Sequence, residues 1–361
     1  MKTFTIPTPK GNRTIGEGQP VFLIGDMSAN HNQNFDTAVE IIKIAAEAGL
    51  DAIKLQSYLP NTITMDCNKD WFIIKNKDNP DIWKSKSLYQ LYQQAFTPRE
   101  WIPKLKELAD QLGIVLFSTP FSVDDLNYLE TTLNPPLYKI ASYEVTHIPL
   151  LKEVARTGKP VILSTGFATA DEIELAVKTL RENGTLNLVL LHCVTAYSSE
   201  PKPEQTNLNT MLDAGKRFNV TIGFSDNNAG IEIPLQAAMM GATVIEKHVV
   251  ADNSKSEALD GKFSLDSQEL KKFVKSVKRA EKTRGKVNYG PQSETEKANA
   301  HYRQSIFVVK NIKANEQFSS DNLKVIRPAN GLAAKYYEDV LGKAAKQDIE
   351  KGTPLNWGFI F

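Results

Sequence analysis

Only two cysteines, Cys67 and Cys193, occur among 361 residues, far apart and in no CxxC pair. A disulfide scaffold and a thiolate zinc cluster are thereby excluded, and a reducing, cytoplasmic setting is expected. No stretch approaches about 18 uninterrupted apolar residues, and the N-terminal MKTFTIPTPKGNRTIGEG has no apolar h-region, so neither a membrane span nor a signal peptide is expected. Charge of one sign is lacking too: 43 Lys plus Arg face 42 Asp plus Glu. With no long block of either sign, a nucleic-acid partner is not expected, although a small anion is still allowed. Glycine-rich phosphate loops, HExxH and GxSxG are all absent, which argues against nucleotide binding, zinc hydrolysis and serine hydrolysis.

What is present is ordinary globular material, 41% hydrophobic and 24% charged. Eight short apolar or β-branched runs recur: VFLIGD from 21, AIKLQSY from 52, IVLFSTPF from 114, LYKIAS from 137, VILSTG from 161, LNLVLLHCV from 186, TIGFSD from 221 and VIEKHVV from 244. Segments of helical period such as FDTAVEIIKIAAEAGL and DEIELAVKTLREN separate them. Strict βα alternation of this kind predicts an α/β fold, a closed (β/α)8 TIM barrel, with a doubly wound open sheet as the competitor. The barrel is expected over residues 1–285, a polar linker over 286–300, and a small β-rich domain over 301–361. That last part contains two similar turns, VKNIKANEQFS and KQDIEKGTPLN, and so suggests internal pseudo-symmetry. One barrel connection is long: residues 59–97 insert an aromatic-rich segment, read either as a substrate-serving loop or as a surface excursion packed by Trp71, Phe72 and Trp83.

Barrel enzymes place their chemistry where the strands end, so the polar residues closing each run are the candidates. Lys54 and Lys139 sit in apolar strands, where an unpaired ammonium costs several kcal/mol. With Thr119, Ser142, Ser164 and Ser225 they predict a pocket for phosphate and carboxylate; a Schiff-base lysine, as in an aldolase, is the rival use. Period two sends Glu246 and His248 to the same side, into the barrel, with Asp226 and Asp260 as neighbouring acids that suit metal ligation or acid–base work.

Read together, SANHN at 28, IKLQSY at 53, STPF at 118, YKIAS at 138, STG at 164 and EKH at 246 resemble the sialic acid synthase family, across nearly the whole chain. RPANGL at 327 and NIKANEQF resemble that family's antifreeze-like SAF domain, and LYQLYQQAFTPREW with SEALDGKFSLD points to its pseudaminic acid synthase branch. The resemblance implies a reaction. Carbon 3 of phosphoenolpyruvate attacks the aldehyde of an open-chain N-acetylated amino sugar, here 2,4-diacetamido-2,4,6-trideoxy-L-altrose. Water adds at carbon 2, and phosphate leaves by C–O cleavage to give a nonulosonic acid. Lys54, Gln56, Thr119, Lys139, Ser142, Ser164, Thr195 and Ser225 match positions that hold phosphoenolpyruvate. Tyr197, Asp260 and Arg327 match sugar-side positions, and Asp26, Glu144 and His248 match catalytic ones. A divalent cation, Mn2+ or Mg2+, is implied on His248 and Asn227, and a domain-swapped homodimer would bring Arg327 to the sugar of the other copy.

The chain departs from that pattern at three places. The family's SDH reads Ser225-Asp226-Asn227, so an amide replaces the second imidazole ligand and favours harder ions. The strand-one glutamate is Asp26, one methylene shorter, and the acidic site near 260 reads LDG. An N-acetylneuraminate or legionaminic acid synthase, or a catalytically lapsed sugar-binding homologue, are the alternatives this leaves.

Overall fold

A computed structural model describes residues 3–75, 86–252 and 254–361, so Trp83 lies outside the described residues. Eight parallel strands carry the eight expected runs: β3 (Phe22–Asp26), β4 (Ala52–Ser57), β5 (Val115–Pro120), β6 (Tyr138–Ile140), β7 (Val161–Ser164), β8 (Leu188–Val194), β9 (Thr221–Asp226) and β10 (Val244–His248). They follow the antiparallel hairpin of β1 (Thr3–Thr8) and β2 (Gly11–Gly16). The order in the sheet is β5-β4-β3-β10-β9-β8-β7-β6. First and last strands pair, His248 opposite Asp26, and β5 and β6 meet at the remaining seam. A doubly wound open sheet would leave β5 and β6 as separated edges, so their meeting makes the sheet a nearly closed (β/α)8 barrel.

Each strand is followed by a helix: Phe35–Ala48, Ile102–Leu112, Val123–Thr132, Ile148–Arg156, Ala170–Glu182, Asn209–Arg217, Glu232–Met239 and Ser267–Arg284. Their ends are written locally. Asn34, Ser122, Thr169 and Asp266 accept backbone N–H bonds as N-caps, and Gly49 and Gly113 close helices in the left-handed region.

Period-two alternation divides the strand side chains into two cores. Leu23, Ile53, Leu55, Leu116, Leu163 and Ile245 face the helices. Phe22, Ile24, Ala52, Phe117, Ile162, Leu191 and Val244 fill the barrel, together with Phe4, Ile6 and Ile15 of the N-terminal hairpin. That hairpin was not expected from the sequence, although Phe4 and Ile6 carry its alternation; it gives the barrel interior a plug, which suits a fold whose lumen must be packed.

The long connection between β4 and β5 is partly ordered by its own elements. Pro60–Ile63 and Leu88–Ala95 are helical, Ser87 and Gln90 form a capping box, and Ile73 bridges Ser87. Trp71 is 74% exposed and Phe72 half-buried, so those aromatics do not pack the segment.

The chain divides into two compact units, residues 1–285 and 286–361. In the second, β11 (Ser305–Val308) pairs antiparallel with β12 (Leu323–Ile326), and the rest is held mostly by isolated bridges. The two similar turns bond each other reciprocally: Ile312 N donates to Ile349 O at 2.9 Å, and Ile349 N to Ile312 O at 2.8 Å. Ile306, Val308, Phe318, Leu323, Val340 and Leu355 form its core. The polar stretch 286–300, expected as a linker, carries the short helix Glu294–Asn299.

Gly25 lies in the helix-facing layer of β3, where an added Cβ would sit 2.8 Å from Leu50, 2.9 Å from Val249 and 3.0 Å from Ile53 side-chain atoms. Gly25→Ala is therefore expected to destabilise the barrel by about 1–3 kcal/mol through overpacking, read as a lower urea midpoint; an unchanged midpoint would contradict the packing described.

Candidate active site

Along each strand the inward positions change character within one or two pleats. Below lie Phe22, Ile24, Phe117, Ile162 and Leu191. At the carboxyl ends, the inward positions are Asp26 on β3, Lys54 and Gln56 on β4, Thr119 on β5 and Lys139 on β6. Ser164, Cys193, Ser225, and Glu246 with His248 continue the ring on β7 to β10, and all of them line a cavity of ≈ 430 Å³.

Charges inside this mouth are paired. Lys54 Nζ lies 2.7 Å from Asp26 Oδ2, and Lys139 Nζ lies 3.2 Å from Glu246 Oε1, which also accepts from Ser225 Oγ at 3.1 Å. Burial by itself would raise the Asp26 carboxyl, but Lys54 and then His248 outweigh it and hold the group below the usual carboxylate range. Burial would likewise lower Lys54, yet Asp26 and Glu246 more than offset it and keep the ammonium above its ordinary value. Asp26 is thus a carboxylate and Lys54 a cation across the physiological range.

A second carboxyl group, Asp260, is pushed up by burial, opposed by His248 and by a 2.5 Å bond from Ser28 Oγ. Gln56 Nε2 donates to that same Ser28 oxygen at 2.8 Å. Asn30 ties the two loops together: its Nδ2 donates to Val249 O at 2.9 Å, and its Oδ1 accepts Asp260 N at 3.1 Å. His248 sits between the two acids, Nε2 3.7 Å from Asp26 and Nδ1 3.8 Å from Asp260. Glu144, on the turn after β6, is pushed up to about 7 by burial, with Lys139 pulling the other way. The Cys193 thiol is pushed up to about 11 by burial and stays protonated, accepting from Asn227 Nδ2 at 3.3 Å.

Five buried side-chain atoms around the cavity, among the described residues, have no hydrogen-bond partner: Thr119 Oγ1, Ser164 Oγ, Glu144 Oε2, Glu246 Oε2 and His248 Nδ1. Each such atom costs about 1–3 kcal/mol, and so many in one place mark a surface built for a ligand. Two lysines and unpartnered hydroxyls suit an anion; the carboxyl groups and His248 suit proton transfer and sugar hydroxyls.

Of the residues singled out from sequence, Asp26, Lys54, Gln56, Thr119, Lys139, Ser142, Glu144, Ser164, Tyr197, Ser225, Asn227, His248 and Asp260 line this one cavity. Thr195 does not; it follows the end of β8, where alternation stops and Cys193 has already taken the inward place. Arg327 is exposed at the end of β12 in the second unit. Asp226, grouped with Asp260 as a neighbour of His248, points to the other side of β9 and pairs with Lys247 at 3.0 Å. Glu246, expected with His248 to face into the barrel, lines the cavity and pairs with Lys139. Ser28 and Asn30 were missing from the sequence-derived site, because they act through loop contacts that no spacing encodes. His31 is structural: it stacks edge-on against Trp101 and is pushed down to about 4 by burial.

The donors available to a divalent cation are few. His248 Nε2 faces Asn227 Oδ1 at 3.2 Å, and the nearest carboxylate, Asp26, is already committed to Lys54. Among the described residues no three His, Cys, Asp or Glu side chains converge on one point. One imidazole and one amide do not fit a resident manganese site.

A barrel whose mouth gathers two paired lysines, a row of hydroxyls and several carboxyl groups is an enzyme of anionic substrates. Residues 41–289 match the NeuB family and residues 303–360 the SAF domain. The chain is 38% identical to a pseudaminic acid synthase of Helicobacter pylori, over 94% of this chain and 97% of that one. It is 40% identical to one of Campylobacter jejuni, over 93% and 95%. The crystal structure of an N-acetylneuraminic acid (sialic acid) synthetase from Leptospira borgpetersenii in complex with citrate superposes with a TM-score of 0.68 at 31% identity, covering 82% of this chain and 96% of that one. The chain belongs to the NeuB family.

Two outcomes follow from this geometry. Between pH 4.5 and about 7 the folded protein holds the Glu144 proton more tightly than the unfolded chain does, so this group's contribution to stability falls as pH rises through that window. Glu144→Gln should therefore stabilise the protein relative to wild type at pH 8 by on the order of 2 kcal/mol and little at pH 5; thermal melts at both pH values check this, and a pH-independent difference would contradict it. Asn227→His, adding an imidazole beside His248, should raise Mn2+ affinity by at least about tenfold in calorimetry, whereas an unchanged affinity would mean the two positions do not share a cation.

Proposed function

We propose that this chain is a phosphoenolpyruvate-dependent nonulosonic acid synthase that condenses phosphoenolpyruvate with 2,4-diacetamido-2,4,6-trideoxy-L-altrose and water, releasing phosphate. The observation that carries the reading is the cluster of unpartnered buried hydroxyls, Thr119 and Ser164, beside Lys54 and Lys139. Phosphoenolpyruvate has two anionic groups, and this mixture of point charges and neutral donors suits both. The names of the relatives at 38% and 40% identity support the pseudaminic branch.

In this reading Lys54, Gln56, Thr119, Lys139, Ser142, Ser164 and Ser225 hold phosphoenolpyruvate at the bottom of the mouth, with carbon 3 toward the acceptor's aldehyde. Carbon 3 forms the new bond to the aldehyde carbon, and the aldehyde oxygen takes a proton. Glu144, whose proton is retained up to pH about 7, supplies it. Water then adds to carbon 2, giving one proton to the Asp26 carboxylate. The C–O bond to phosphate breaks with its electron pair as the new hydroxyl passes its proton to the departing phosphate and becomes the keto oxygen. His248, between Asp26 and Asp260, orients both acids, while Tyr197 and Asp260 meet the sugar. Mn2+ or Mg2+ would act on the aldehyde as a Lewis acid, but with the donor set present the steps above run on the chain's own groups. A cytoplasmic, domain-swapped homodimer, with Arg327 of the partner subunit reaching the sugar, completes the proposal.

Phosphate release should depend on both substrates and leave no borohydride-trapped lysine adduct, which separates this reading from a Schiff-base aldolase. Thr119→Val should raise the KM for phosphoenolpyruvate by roughly tenfold or more, the loss of one bond to a charged ligand. No phosphate release with this sugar, N-acetylmannosamine or the legionaminic precursor would overturn the synthase reading and leave a sugar-binding homologue.

A further inference from the structure

The cavity has two unlike ends. Opposite the charged floor stands a wall of Ile63, Ile74, Leu88, Leu91, Phe121 and Leu259. Most of it comes from the long β4–β5 connection, with Phe121 just after β5 and Leu259 beyond β10. Tyr58 and Tyr92 line the cavity beside it, Tyr58 packing edge-on against Tyr92 and Phe121 with ring centroids 5.5 Å and 5.0 Å apart. This cluster is separate from both barrel cores, so it is not core that happens to reach the surface. A cavity lined by both kinds of side chain suits a ligand that is itself apolar at one end.

We infer that Leu91, Leu259, Ile63 and Ile74 form a subsite for the terminal methyl group of a 6-deoxy acceptor and select against the same sugar with a hydroxymethyl end. The inference rests on the synthase reading above. The acceptor's aldehyde carbon has to reach phosphoenolpyruvate at the floor, so carbon 6, the end farthest from it, is the end that meets the wall. A hydroxyl set against Leu91, Leu259, Ile63 and Ile74 would give up its water with no bond from those side chains in return. An apolar pocket discriminates against an added hydroxyl by about 100-fold.

The test compares kcat/KM for two acceptors that differ only at carbon 6: 2,4-diacetamido-2,4,6-trideoxy-L-altrose and its 6-hydroxy counterpart. Wild type should prefer the deoxy sugar by about 100-fold, and Leu91→Asn, which puts an amide in the wall, should cut that preference at least about tenfold. Should Leu91→Asn melt too low to assay, Ile63→Thr, which keeps the β-branch at a half-buried position, should narrow the preference in the same direction. Equal turnover of the two sugars by wild type, or a preference untouched in the folded variants, overturns the methyl subsite and leaves the synthase intact. Turnover of neither sugar overturns the synthase reading, and this one with it.

Discussion

Two lysines inside a barrel are tolerable only if each meets a negative charge, and that constraint organises the mouth of this protein. Lys54 is held by Asp26 and Lys139 by Glu246, in a place where an isolated ammonium would cost several kcal/mol. The pairs sit on neighbouring or facing strands, so they form only once β3, β4, β6 and β10 are in register. Charge pairing and barrel closure therefore support each other. The pairing also leaves capacity unused: Glu246 Oε2 and His248 Nδ1 stay open beside the unpartnered hydroxyls of Thr119 and Ser164. A bound dianion would be met by groups already in place, with little reorganisation when it arrives.

Below the charges, the same alternation fills the barrel with Phe22, Phe117, Ile162 and Leu191, and the N-terminal hairpin adds Phe4, Ile6 and Ile15. Above them, the loops take over. Asn30 links the loop after β3 to the segment around Asp260, and Ser28 joins Gln56 to Asp260. Rigid packing below and hydrogen-bonded loops above divide the labour expected of this fold, in which strands give stability and their carboxyl-end loops give chemistry. The β4–β5 connection extends the loop layer and brings Ile63, Ile74, Leu88 and Leu91 to the cavity.

The three places where the chain departs from the pattern its sequence resembles lie near one side chain: Asn227, Asp26 and Asp260 each approach His248. A shorter acid on β3, an amide on β9 and an imidazole held between two carboxyl groups make a centre richer in hydrogen-bond donors and acceptors than in metal ligands. Such a centre handles protons and hydroxyls well, and its weakness for soft divalent ions follows from the loss of one imidazole.

The eight strands and their helices were legible in the chain because period two and period 3.6 are local properties, repeated often enough to favour a barrel over an open sheet; the β3–β10 pairing and the β5–β6 seam then excluded the open sheet. Most of the cavity was legible for the same reason: in a parallel barrel the last inward residue of each strand must face the mouth, so Lys54, Thr119, Lys139, Ser164, Ser225 and His248 could be named from spacing alone. What local pattern cannot carry is pairing between distant segments. Period two already turns Asp226 away once Ser225 faces in, but that Asp226 meets Lys247, that Asn30 fastens the loop around Asp260, and that Leu91 and Leu259 join one cluster were decided only by the tertiary structure, because each depends on contacts between residues tens or hundreds of positions apart that hydrophobic period and residue type leave unspecified.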